Sequence, residues 1–105
     1  MTLGDKQRRF TLILAQLIIY TYSRGYELTL GEGYDDDRVG HIDGSTHYIR
    51  LGQDLNLFKE GIWLDKGPEM ETGFGMMHDY WDIIGGAKRI NGDLNHFSLE
   101  HEGKR

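Results

Sequence analysis

Apolar residues near the start of the chain recur with the period of an α-helix. They stand at i, i+3, i+4, i+7 and i+8, namely Phe10, Ile13, Leu14, Leu17 and Ile18. This spacing is typical of an amphipathic helix packed on a core. We predict a helix from about residue 5 to residue 23, with Thr2 or Asp5 near its start. Arg24-Gly25 should end it, because glycine readily adopts the left-handed conformation of a helix C-terminus.

After Gly25 the spacing of apolar residues changes from a helical period to the alternation of strands, and a helical period returns after Pro68. Tyr26 to Leu30 alternates apolar and polar residues, which indicates a half-buried strand. Further strands are predicted at Leu51–Phe58, at Ile62–Leu64 after a Glu60-Gly61 hairpin turn, and at Phe97–Glu100. A second helix should begin at Pro68 and end at Gly85-Gly86. Its apolar positions have roughly helical spacing: Met70, Phe74, Met77, Trp81 and Ile84.

The order helix, strand, strand, strand, helix, strand indicates an α+β fold, with a small antiparallel sheet and two main helices. The length of 105 residues is that of a single domain, here residues 1–105. A long polar loop, from Gly31 to Gly44, separates the first two strands. Loops of this length in small proteins are often functional.

Composition narrows the possible chemistry. The net charge is -5, with 12 Lys and Arg against 17 Asp and Glu, which argues against nucleic-acid binding. There are no cysteines, so a transition metal would need His, Asp or Glu ligands. The apolar run at 10–20 follows basic residues, but it contains Gln16, lacks a cleavage site and is short for a membrane span. We therefore expect no signal peptide and no membrane partner.

Three residues are candidate metal ligands. Asp54 follows His47 by seven positions and lies within an apolar strand, where a carboxylate must be paired or bound to a cation. His96 lies just ahead of the predicted last strand. Two imidazoles and one carboxylate would leave Zn²⁺ a fourth position for water. The alternative is two surface histidines and a turn-forming aspartate.

A family resemblance favours the metal site. The segments Ser45-Thr46-His47, Asp54-Leu55-Asn56 and Asp93-Leu94-Asn95-His96 resemble the zinc peptidases that cut D-Ala-D-Ala and L-Ala-D-Glu bonds in peptidoglycan. That family includes D-alanyl-D-alanine carboxypeptidases and phage endolysins. The resemblance implies a zinc D-Ala-D-Ala peptidase-like (Hedgehog/DD-peptidase-like) fold. It also implies Zn²⁺ as cofactor, with His47, Asp54 and His96 as its ligands.

The same resemblance implies roles for nearby residues. Asp93 corresponds to the general base, and Glu100 and Glu32 are the other carboxylates that could serve. Ser45 would hold the His47 segment or contact the substrate. As alternatives, Asp93 and Ser45 could be ordinary turn residues.

The sequence departs from the family pattern in two places: Arg50 and Gly52 stand where relatives usually have Gly and Ala, and the residue after Tyr34 differs. Relatives carry an arginine after a tyrosine beyond the first strand, whereas Asp35 follows Tyr34 here. We expect Arg38 to bind substrate and assist catalysis in its place, with Arg50 as the other candidate. The run Asp35-Asp36-Asp37 could be solvated or could bind Ca²⁺.

The resemblance implies a peptidoglycan peptidase used in phage lysis, with the wall stem peptide as its partner. Such a protein is made in the host cytoplasm and reaches the wall after holin-type release, and we expect a monomer. The competing hypothesis is a non-catalytic wall-binding or virion structural module that keeps the fold. His41, His78 and His101 are interpreted as structural or solvated, and three aromatic residues as core: Phe74, Trp63 and Trp81.

Overall fold

The computed structural model describes residues 1–33 and 49–105. Its elements are α1 (Leu3–Ser23), β1 (Glu27–Leu30), β2 (Gly52–Lys59), β3 (Ile62–Trp63), α2 (Pro68–Ile83) and β4 (His96–Ser98). This order confirms the predicted α+β class, with two helices and a small antiparallel sheet.

Hydrogen bonds between Thr2 and Asp5 fix the start of helix α1 at Leu3. The Thr2 hydroxyl accepts from the Asp5 N–H at 3.1 Å, and the Asp5 carboxylate accepts from the Thr2 N–H at 3.0 Å. This reciprocal capping box satisfies two backbone donors that the helix cannot satisfy itself. At the other end, Gly25 takes a φ of +89°, which explains why the helix ends there. In the described part of the chain, no helix has the length and apolar character needed to cross a bilayer.

Strand β2 is the centre of the sheet. β1 runs antiparallel along one of its edges, with Glu27 opposite Phe58. The other edge pairs with β3 near one end and with β4 near the other. The backbone hydrogen bonds of β2 alternate between its two edges. Asp54 is hydrogen-bonded to the chain that follows β1, whereas Leu55 and Leu57 are hydrogen-bonded on the side of β4 and β3.

The two helices and the inner face of the sheet enclose the core. The Trp81 ring packs edge-to-face against two aromatic rings. Its centroid is 6.0 Å from that of Phe10 of α1 and 5.8 Å from that of Phe97 of β4. Its indole N–H donates to the Ser98 carbonyl at 2.9 Å, so the buried polar atom is satisfied. Leu55 and Leu57 of β2 are fully buried against the same cluster.

Three local predictions were wrong. Trp63 is 56% exposed, although it was interpreted as a core residue, and Leu30 is 67% exposed in a strand that was predicted to be half-buried. Both lie on strands that pair with β2 on one side only, so less of their surface meets the core. His96 begins β4 instead of preceding it, and Leu99 and Glu100 lie beyond the strand.

Candidate functional site

Two of the three predicted metal ligands lie opposite each other in the sheet. The antiparallel register of β2 and β4 pairs Asp54 with His96, although the two are far apart in sequence. The Oδ1 atom of Asp54 is 3.1 Å from Nδ1 of His96. The His96 side chain is only 6% exposed. The structure therefore brings these two predicted ligands together, and their role in binding a metal stays a prediction.

The backbone of Asp54 is fixed on the side away from His96. Its N–H donates to the Glu32 carbonyl at 2.7 Å, and its carbonyl accepts from the Gly31 N–H at 2.8 Å. A Cβ at residue 31 would come within 3.1 Å of the Asp54 carbonyl oxygen. A side chain at residue 31 would therefore crowd the Asp54 backbone, and glycine avoids this contact.

The donor chemistry of the pair fits zinc. Two ligands at 2.0–2.1 Å from a tetrahedral ion are about 3.3 Å apart, close to the observed spacing of the carboxylate oxygen and imidazole nitrogen. A simple hydrogen bond from the Nδ1–H to the carboxylate accounts for the same distance. Residues 1–33 and 49–105 contain no group of three or more potential metal-ligating side chains. The predicted third ligand, His47, lies outside these residues.

Asp93 lies in the tight turn that leads into β4. Its N–H donates to the Ile90 carbonyl at 3.0 Å, and its own carbonyl accepts from the His96 N–H at 3.2 Å. The residue is exposed. Asp93 is therefore a turn residue in the structure, and the turn hydrogen bond links its backbone directly to His96. Its role as general base stays a prediction.

His78 supports this turn from inside the protein. It is fully buried on α2, and its Nε2 lies 2.7 Å from the Leu94 carbonyl. Since a carbonyl can only accept, Nε2 carries the proton. The imidazole also stacks on Phe97 of β4, with centroids 4.2 Å apart. His78 therefore braces the segment that carries Asp93 and His96, a role that its position among apolar helix residues did not reveal.

Burial makes His78 a weak base. Desolvation lowers the pKa of its imidazole, and the positive charge of Arg89 lowers it further. The hydrogen bond to Leu94 opposes this shift. The Nδ1 atom is buried and has no hydrogen-bond partner within the described residues. Protonation would place a charge there without an acceptor, so the neutral form is favoured.

Some of the other residues predicted to form the site are described by the structure, and others are not. Ser45, Arg38, His41 and the run Asp35-Asp36-Asp37 lie outside the described residues. Arg50 is exposed and has a left-handed backbone, with φ of 58°. The carboxyl-bearing alternatives to Asp93 are both exposed: Glu32 and Glu100.

A cleft of about 490 Å³ is lined by Leu55 and Asn95, the chain neighbours of Asp54 and His96, but not by Asp54 or His96 themselves. It lies between β3, the first half of α2 and the turn before β4. Asn56, two positions after Asp54 on the same face of β2, and Asn95, next to His96, both line it. Trp63 and Leu64 line the side formed by β3, and Glu71 lines the α2 side. This volume is within the range of ligand-binding clefts.

Comparisons with protein-family models, curated proteins and solved structures gave no significant match to this chain.

Proposed function

We propose that this chain is a zinc-dependent peptidase that hydrolyses a peptide bond in the stem peptide of peptidoglycan during phage lysis. An L-Ala-D-Glu endopeptidase and a D-Ala-D-Ala carboxypeptidase would both use such a site. One observation carries the proposal: the aspartate and the distal histidine of the family pattern face each other at 3.1 Å across two paired strands.

The residues at the pair suit metal binding for a physical reason. The Asp54 carboxylate is half-buried and its Oδ1 lies 3.1 Å from Nδ1 of His96. A cation held by these two side chains and His47 would be a favourable partner for the carboxylate charge. When bound, zinc polarises a substrate carbonyl and lowers the pKa of a water molecule to about 7.

Proton transfer is assigned to Asp93. A carboxylate near the reacting water can take its proton and later give it to the leaving amine. The turn hydrogen bond to His96 keeps Asp93 on the segment that carries the proposed ligand.

The cleft offers a place for the rest of the substrate. Asn56 and Asn95 supply amide groups to the cleft lining, and amides can both donate to and accept from a peptide backbone. The Trp63 ring adds an exposed apolar surface. Contacts away from the scissile bond are what orient a substrate for reaction.

The test combines metal content with product analysis. Purified protein should hold about one zinc per chain, and digestion of purified peptidoglycan should release fragments whose masses identify the cleaved bond. His96→Ala should lose both properties, whereas His101→Ala, a control histidine outside the pair, should keep them. Wall binding without new peptide termini would instead support the non-catalytic module. Stoichiometric zinc retained by His96→Ala would contradict the site.

A further inference from the structure

The outer face of α1 carries a second apolar stripe, opposite the one that packs on the core. Leu12 is 54% exposed, Ile19 is 70% exposed and Tyr22 is 51% exposed, and Ala15 between them is also exposed. The sequence has no charged residue between Arg9 and Arg24. Helices that face water on one side normally carry charged residues there. No described residue covers this stripe.

The spacing of the stripe is that of a helix–helix seam. Counting from Arg8, the outer positions alternate steps of four and three residues: Arg8, Leu12, Ala15, Ile19 and Tyr22. This 3.5-residue repeat places side chains along one line of a pair of supercoiled helices. The core-facing residues of α1 form a separate set, which includes Phe10, Ile13 and Leu17. The helix is therefore built to contact two partners, of which the described fold supplies one.

The stripe is also symmetric about its middle. Leu12 and Ile19 flank the small Ala15, and Arg8 and Tyr22 each lie seven residues from it. A two-fold axis requires a surface that complements itself, with residue i meeting j and j meeting i. We propose that the outer face of α1 binds a second copy of this chain, with the helices antiparallel and Ala15 at the two-fold axis.

Charge favours the antiparallel arrangement. It places Arg8 of each copy beside Tyr22 and the C-terminal end of α1 in the other copy. That end carries negative partial charge; its last turn has no basic residue, and one basic residue, Arg24, follows as the C-cap. Arg8 is 75% exposed while it pairs with Asp5, so it remains accessible. A parallel pair would instead bring together the basic residues Lys6, Arg8 and Arg9 of both copies.

The contact surfaces are preorganised. The Tyr22 hydroxyl donates to the Leu28 carbonyl and accepts from the Leu28 N–H, both at 3.1 Å, which fixes the ring before any partner arrives. The seam from Arg8 to Tyr22 is about 21 Å long, from the rise per residue of a helix. Such a small interface is expected to give a micromolar dissociation constant. This inference replaces the expected monomer, and it does not depend on the proposed peptidase activity.

Sedimentation equilibrium tests the association directly. Over roughly 10–500 µM, the range suited to a micromolar dissociation constant, the average mass should rise from that of one chain towards that of two. Ile19→Asp should weaken association at least ~10-fold, since a charge would be buried in the seam. The matched control Thr72→Asp, on the exposed face of α2, should leave association unchanged. Melting curves would show that both variants remain folded.

Cysteine cross-linking tests the geometry, because the chain has no native cysteine. With oxidised glutathione as oxidant, Ala15→Cys should form a disulfide-linked dimer, and Thr72→Cys and Leu12→Cys should not. Efficient linking through Leu12→Cys would indicate parallel helices and overturn the proposal. A single-chain mass at every concentration would also overturn it. The proposal would also be overturned if Ile19→Asp left the average mass in sedimentation unchanged but abolished binding to anionic phospholipid vesicles. The stripe would then be a lipid contact.

Discussion

Replacing His78 by phenylalanine should destabilise the protein in a pH-dependent way. Phenylalanine keeps an aromatic ring against Phe97 but cannot donate to the Leu94 carbonyl, which His78 reaches at 2.7 Å. A buried carbonyl left without a donor costs about 1–3 kcal/mol. At pH 7.5 the free energy of unfolding of His78→Phe should fall by that amount. For a domain of this size each 1 kcal/mol corresponds to about 4–8 °C in Tm.

The sign of the pH effect follows from the lowered pKa of His78. Below its ordinary value of 6.5, the unfolded chain binds a proton that the folded chain resists. The stabilisation from neutral His78 is therefore complete above that pH and is lost as the pH falls. One such proton changes the free energy of unfolding by at most about 1.4 kcal/mol per pH unit. The difference in free energy of unfolding between wild type and His78→Phe should narrow between pH 6.5 and 5.5, by up to about 1 kcal/mol.

Urea denaturation at pH 7.5, 6.5 and 5.5, with a chelator present, measures this difference. Comparing two proteins cancels the contribution of the other four histidines, which both share. His101→Phe, a partly exposed position, serves as the control and should not show the narrowing. A difference that stays constant or widens on acidification would refute the account of a buried neutral imidazole.

Three further predictions follow from the proposed centre. Asp54→Ala and His96→Ala should each abolish tight zinc binding measured by titration, and a chelator should lower the Tm of wild type but not of either variant. Asp93→Asn should retain zinc and lose roughly 10²–10⁴-fold in kcat on wall peptides; near-normal turnover would assign the base to another carboxylate. Arg38→Ala should lower kcat/KM at least ~10-fold, or about 1.4 kcal/mol, without loss of zinc. If Arg50→Ala lowered kcat/KM and Arg38→Ala did not, Arg50 and not Arg38 would be the residue that binds substrate.

The helices could be predicted because their signals are local. The apolar period of α1 and the Thr2–Asp5 capping box both lie within a few residues of the ends they determine. Pro68 similarly placed the start of α2. Helix formation depends mainly on contacts between near neighbours, which a sequence displays directly.

The family resemblance, and not the spacing of residues in the sequence, led to the prediction that Asp54 and His96 lie close together. β4 has only three residues, too few for an alternation to show, and its register with β2 depends on contacts distant in sequence. His78 shows the same limit: its spacing among core residues is that of an apolar side chain, and only the folded chain brings Leu94 to its Nε2. The exposure of Trp63 likewise depends on which strand edge the hairpin occupies.

The two tryptophans of this chain lie in contrasting environments, and this gives the protein two separate optical reporters. Trp81 is sealed between aromatic rings with its indole N–H bonded to a carbonyl, whereas Trp63 stands at the rim of the cleft, more than half open to water. Fluorescence from Trp63 should be quenched readily by dissolved iodide, and Trp81 should be shielded from it. A ligand entering the cleft would thus alter one component of the emission while the other continues to report whether the chain is folded.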